Sequence, residues 1–327
     1  MNRIKYFLYI FLLISSTSFA QFKYNVGLGS GFYFTDQKAF YENSQNYFSG
    51  QLKLNYTIKE NSRKASIEMM ALPEFFGTSN TVKSLKLKIE AEYSETYENT
   101  SWGLSLLKKN YYYRGLDIRN NFDIYFLHSF LDWKLGRVPQ KTSVGLAYQD
   151  ISGTYSQISD LIYLDHRFFH FFSPFTNICY GIYVERFSLS SASKNSGWRF
   201  GPVLAISHLH DFVFNLQLKF ILHSSEITKR FSNESIIRLV AGKFLTDKIS
   251  LFVLTDYSWR NFNYDSNSEV LPYSLIDSEN NINLKLVYSL NRSSEIYLKS
   301  GYFNQDFLDR DLSLKGWSVL AGFKIGN

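Results

Sequence analysis

Between Asn281 and Asn304 the sequence runs NINLKLVYSL, NRSS, EIYLKSGYFN. In the first arm Ile282, Leu284, Leu286, Tyr288 and Leu290 alternate with Asn283, Lys285, Val287 and Ser289. In the second, Ile296, Leu298 and Tyr302 alternate with Tyr297, Lys299 and Gly301. Side chains on a strand point to opposite faces with period two, so each arm has an apolar face and a mostly polar one. The residues Asn291 to Ser294 carry turn chemistry, which makes the whole a long antiparallel hairpin.

The pattern recurs along the chain. Phe22, Tyr24, Val26 and Leu28 oppose Lys23, Asn25, Gly27 and Gly29; Leu52, Leu54 and Tyr56 oppose Gln51, Lys53 and Asn55. Leu85, Leu87, Ile89 and Ala91 oppose Lys86, Lys88, Glu90 and Glu92 in the sharpest two-faced segment. Leu216, Leu218 and Phe220 oppose Gln217 and Lys219, and near the end Trp317, Val319 and Phe323 oppose Ser318, Gly322 and Lys324. Connections take turns between a tight class (Lys59–Ser62, Thr96–Thr100, Leu245–Lys248) and a longer one (Asp36–Gln45, Asn263–Ser278, Gln305–Ser313). Three segments change phase and are hard to face: Leu104 to Tyr113, Phe122 to Leu135 and Leu161 to Phe172, the last containing FFHFF. A β-bulge or an aromatic cluster at a membrane interface would produce such a change.

Alternation sustained for about ten residues exceeds the 5–6 residues of an ordinary soluble strand and matches what a bilayer crossing requires. Open edges of that length would promote aggregation, and closure removes them. The expected fold is therefore all-β, a closed antiparallel transmembrane β-barrel of about sixteen strands; a count of fourteen also fits the pattern. The start of the chain carries a basic n-region (Arg3, Lys5), the apolar run Phe7 to Ile14 and the small-x-small triplet Ser18-Phe19-Ala20. Those features predict a signal peptide over residues 1–20 and a barrel over 21–327, with Gln21 as the mature N-terminus. No cysteine neighbours that site, which argues against a lipid anchor; the single cysteine, Cys179, rules out a disulfide framework. Aromatic residues make up 18% of the chain, an excess that suits two interfacial girdles.

With these strands the mature chain resembles the bacterial outer-membrane β-barrel proteins as a broad group, porins among them. It departs from the group's usual aromatic last residue, closing FKIGN with Phe323 four residues in. The resemblance implies location in the cell outer membrane, contact with its lipid and lipopolysaccharide, and assembly by the barrel-assembly machinery.

Motifs for catalysis or cofactors are sparse. GLGSG at Gly27–Gly31 lacks the strand–turn–helix context of a nucleotide site, and its glycines instead leave room on one strand face. His166 and His170 in HRFFH would lie roughly 13 Å apart on a strand, too far to share one ion. His170, His208 and His210 fall near the expected periplasmic rim, where histidines among aromatics explain them better than a metal site. Ser207–His208 and His223–Ser224 are neighbours that point to opposite strand faces, and no GxSxG, HExxH or CxxC is present. The expectation is neither enzyme, nor cofactor, nor bound metal. Positive residues are dispersed rather than gathered in a stripe, so the net charge of +6 does not point to nucleic acid.

What remains is the inner face. Lys86, Lys88, Arg199, Arg238, Lys285 and Lys299 are expected to face the lumen and bias its field, among strand-borne acids that include Glu68, Glu90, Asp123, Glu185 and Asp256. The leading function is a porin-like channel for small hydrophilic solutes, which can include anions, or for an exported polymer such as a polysaccharide. The alternative is a non-conducting barrel that serves as a binding or assembly module, with the loop Asn263–Ser278 as its contact surface.

Overall fold

The computed structural model describes residues 19–35, 45–76, 82–114, 119–153, 156–190, 194–225, 232–261, 280–305 and 314–326. Sixteen strands follow one another: β1 (Phe19–Thr35), β2 (Gln45–Glu60), β3 (Arg63–Phe76), β4 (Val82–Tyr97), β5 (Thr100–Arg114), β6 (Arg119–Leu135), β7 (Val138–Gly153) and β8 (Gln157–Ser173). The second half comprises β9 (Thr176–Ser190), β10 (Lys194–Leu209), β11 (Val213–Ser225), β12 (Ser232–Phe244), β13 (Ile249–Asn261), β14 (Asn281–Asn291), β15 (Ser294–Gln305) and β16 (Leu314–Gly326). Each strand pairs antiparallel with its neighbours in sequence, and β1 pairs with β16 from Asn25↔Gly326 to Thr35↔Gly316, which closes the ring. Closure leaves no edge whose backbone groups would face hydrocarbon unpaired.

The tight connections all fall at one end of the barrel. Asn61 and Glu98 take positive φ angles there, and Gly136 sits at φ 61°, in the left-handed region a tight turn demands. By the rule for bacterial barrels this is the periplasmic end. Residues 1–18 of the expected signal peptide and most of the long connections, the span 263–278 included, lie outside the described residues.

The outward face is a greasy belt. Phe22, Val26 and Leu28 of β1, and Leu284, Leu286 and Leu290 of β14, are all exposed, as residues meeting acyl chains must be. Aromatic pairs bracket the belt. At the tight-turn end Tyr93 packs on Trp102 with centroids 5.5 Å apart, and Phe168 stacks on Tyr180 at 5.5 Å. At the far end Tyr125 meets Tyr148 at 6.3 Å, Tyr257 meets Trp259 at 4.7 Å and Tyr302 meets Trp317 at 5.5 Å. Amphipathic rings at both interfaces are the anchoring device of membrane-spanning barrels.

The hard-to-face segments have a specific cause. The registers of β5 with β6 and of β6 with β7 run without interruption, so no bulge accounts for them. Instead β6 turns Phe122, Ile124 and Phe126 inward, the first two buried, while Asp123 and Tyr125 face out. Asp123, expected in the lumen, thus lies on the outer face, where Asn110 of β5 donates a hydrogen bond to its carboxylate. Lys108 reaches along the same face to lie over the Tyr125 ring, 5.1 Å from its centroid, a cation kept near the polar interface. Only in β8 does the register shift within the ambiguous segment, between Phe171 and Ser173.

Inward glycines have aromatic counterparts. Gly103, Gly145, Gly242 and Gly322 stand directly opposite Phe130, Tyr163, Phe252 and Tyr297 on a neighbouring strand. A methyl group built on any of the four would overlap the facing ring. Each ring therefore lies flat across a glycine, filling the gap and holding the inner wall smooth.

Candidate functional site

Among the described residues, two cavities of the interior have walls of different chemistry. The first, about 500 Å³, is lined by Lys86 and Lys88 of β4, Lys109 of β5, Lys285 of β14, Lys299 of β15 and Lys324 of β16. These strands come from two sectors of the ring with β1, β2 and β3 between them, so lysines converge on one space from well-separated walls. Alternation puts Lys86, Lys88, Lys285, Lys299 and Lys324 on the inner face, since Ile89, Leu284, Leu286, Leu298, Phe323 and Ile325 belong to the outer belt.

Carboxylates hold several of these ammonium groups in place. Lys88 Nζ lies 3.1 Å from Glu68 Oε1 and 2.6 Å from Glu90 Oε2, and Lys53 reaches Glu68 Oε2 at 2.7 Å. Lys86 lies 3.6 Å from Glu74, while Lys285 and Lys324 share Glu295 at 3.3 and 3.7 Å. Five lysines (53, 86, 88, 285 and 324) thus share four glutamates (68, 74, 90 and 295). Half-exposed pairs of this kind contribute on the order of 0–1 kcal/mol each, so they position the lysines more than they stabilise the barrel. Lys285 also sits over the Tyr297 ring, 4.7 Å from its centroid. The glycines of GLGSG serve this wall: Gly29 leaves the room that the Tyr297 hydroxyl occupies.

The second cavity, about 470 Å³, is lined by Phe126 and His128 of β6, Tyr163 and Arg167 of β8, Lys219 of β11 and Arg238 of β12, among others. Phe126 and Tyr163 stack nearly parallel, 5.8 Å apart at 9°, and Tyr163 stacks on Tyr183 at 5.6 Å and 26°. Arg167 donates to both oxygens of Asp165 at 2.6 and 2.5 Å, and Arg238 Nε lies 3.6 Å from Asp256.

Arg199 is placed unlike the other five residues singled out by sequence. It is buried, with Nη1 2.9 Å from Glu185 Oε1 and Nη2 bonded to Glu234, and the Tyr183 hydroxyl donates to the second oxygen of Glu185. Two carboxylates neutralise it, so it belongs to the packed wall rather than to an open charged surface. Beside it Tyr183, Val203, Ile221 and Ile236 form a buried apolar cluster on the inner side of β9 to β12.

The histidines of the rim are interfacial. His166 packs edge-on against Phe168 at 4.7 Å, His170 stacks on Tyr180 at 5.5 Å, and His208 stacks on Phe212 at 4.5 Å. Among the described residues no group of three or more His, Cys, Asp and Glu side chains is placed to hold a metal ion. Lys109 and the ring stack escaped the sequence reading because both lie on or beside the strands whose phase is ambiguous.

A closed ring, an apolar outer belt between two aromatic girdles and a charged interior together define an outer-membrane β-barrel of porin-like architecture. No protein-family model matches the chain, and no curated protein matches it in sequence. Among solved structures it is similar to CdiB from Acinetobacter baumannii, with a TM-score of 0.51 and 10% identity over 94% of this chain and 60% of that one. The chain therefore spans less than two thirds of CdiB's length. Further matches are OccAB4 from Acinetobacter baumannii (TM-score 0.46, 8% identity, 96% of this chain, 99% of that one) and the TodX monoaromatic hydrocarbon channel in its deltaS2 mutant form (0.42, 8%, 96% and 91%). At such identities the likeness is one of fold.

Proposed function

We propose that the barrel is a passive channel for small hydrophilic solutes that favours anions. The observation that carries this reading is the convergence of Lys86, Lys88, Lys109, Lys285, Lys299 and Lys324 on one cavity, whose described lining includes one carboxylate, Glu74. Charges of one sign lining a confined aqueous space with low-dielectric walls raise the local concentration of the opposite ion. Arg238, beside the ring stack, extends the positive surface toward the second cavity, while Arg199 acts in the wall.

Purified protein reconstituted in planar bilayers under a potassium chloride gradient is expected to show a reversal potential of chloride-preferring sign. Lys86→Glu combined with Lys285→Glu should shift that potential toward cation preference. Folded protein that never conducts, or a potential indifferent to both changes, would remove the channel reading. A leader cleaved after Ala20 belongs to the same proposal, as do insertion by the barrel-assembly machinery and contact with lipopolysaccharide. Intact-mass measurement of outer-membrane protein should give the mass of a chain beginning at Gln21; retention of residues 1–20 would contradict it.

A further inference from the structure

Lysines alone suffice to attract chloride or phosphate, yet the second cavity holds an aromatic strip that no inorganic anion needs. Phe126, His128 and Tyr163 each keep part of their surface open to this space, while Tyr183 is buried at the end of the row. The Phe126 and Tyr163 planes lie only 9° apart, and His128 meets both rings edge-on at 6.1 and 6.3 Å. Gly145 on the strand between presents no side chain, so Tyr163 lies flat across it, and the strip runs unbroken from β6 to β9. Partly exposed ring faces in a wet lumen are unfavourably hydrated until an apolar surface covers them.

Around the strip stand side chains that both donate and accept. Arg167 with Asp165, Gln217 and Arg238 line the same cavity, and the ammonium of Lys219 lies 4.1 Å from the Tyr183 centroid. A pyranose matches this pairing of surfaces. Its C–H face is weakly positive and apolar and settles on the negative face of an aromatic ring, while its hydroxyls each need a donor and an acceptor. The lysines of the first cavity stand on other strands of the same ring and are the counter-charges available to carboxylates on the same molecule.

We propose that the lumen binds acidic oligosaccharides, sugar chains bearing uronate carboxylates, with the Phe126–Tyr163 strip as the stacking platform and the lysine wall as the charge partner. The proposal rests on the channel reading and names its solute class. The test is blockade of single-channel current by three probes: trigalacturonate, uncharged maltotriose and adenosine monophosphate.

Trigalacturonate is expected to block at roughly one tenth of the concentration maltotriose requires, the ratio of one well-made charged contact. Phe126→Ala should raise its half-blocking concentration about ten-fold while leaving the chloride reversal potential in place. Tyr163→Leu, which keeps the bulk over Gly145, is the second variant should Phe126→Ala not fold, and the same rise is expected. Lys86→Gln should weaken the block by trigalacturonate but not by maltotriose. Equal potency of the two sugars, stronger block by adenosine monophosphate, or unchanged block in the ring variants each overturns the proposal while the anion channel stands. Should the folded protein pass no current, the channel reading fails by itself. Calorimetric titration with trigalacturonate in detergent then decides the binding site, and absence of heat overturns that too.

Discussion

Replacing Arg199 by methionine is expected to destabilise the folded barrel by about 3–5 kcal/mol, the cost of leaving buried carboxylates without their counter-charge. Glu185 and Glu234 are each buried, and both reach the guanidinium, one at 2.9 Å through Nη1 and the other through Nη2. Removing the cation leaves two like charges facing each other in a wall that also holds Val203 and Ile221. The check is urea unfolding of the vesicle-reconstituted protein followed by tryptophan fluorescence, native against variant. A triple change, Arg199→Met with Glu185→Gln and Glu234→Gln, should recover most of the loss, because neutral amides carry no such repulsion. If the single variant unfolds at the native urea concentration, the network contributes nothing to stability. Conductance separates this role from that of the cavity-lining lysines: the triple variant should keep the chloride preference that Lys86→Glu with Lys285→Glu reverses.

The contrast reflects a division of labour around the ring. From β13 through β16 to β5 the interior is lysine-bearing; from β6 to β12 it carries rings, an ion network and an apolar cluster around the second cavity. If the barrel is the channel proposed above, such asymmetry gives its solute two unlike walls. A lumen of uniform charge would attract ions without orienting anything larger.

How far the chain discloses this depends on local contrast. Along β14, Leu284, Lys285 and Leu286 declare their faces at sight, because the lipid side is aliphatic and the inner side charged. The six-residue charge set read from such strands includes four lysines that line one cavity, but their convergence depends on how the ring closes, which no single strand encodes. In β6 the contrast vanishes. Phe122, Ile124 and Phe126 point inward, Tyr125 and Leu127 outward, so both faces are apolar and the period of two carries no sign. Asp123 faces out, opposite to the lumen position the sequence predicts. The neutralisation of Arg199 was illegible for another: Glu185 is its register partner on β9, but Glu234 sits two strands away on β12, and that proximity exists only in the folded wall. The glycines opposite aromatic rings fall between these cases, since each member is visible in sequence while the pairing requires the register.

The face assignment itself is tested by two adjacent positions on β14. Leu286 points outward, is exposed, and stands between Leu251 of β13 and Leu298 of β15 in the belt. Lys285 points inward, over Tyr297 and 3.3 Å from Glu295. Leu286→Arg near mid-strand should cost about 2–4 kcal/mol of folding free energy, since a guanidinium there must be dragged into hydrocarbon or the bilayer deformed around it. Lys285→Gln forfeits a half-exposed ion pair worth on the order of 0–1 kcal/mol and should fold almost as well as the native chain. It should nevertheless weaken anion preference, because a positive charge has left the lumen. Reversible unfolding in lipid vesicles measures both energies in one series. Similar costs at the two positions would mean that the bilayer does not meet this strand from the leucine side. A large cost at Lys285 alone would place the hydrocarbon on the opposite face and invert every inward and outward assignment along the strand.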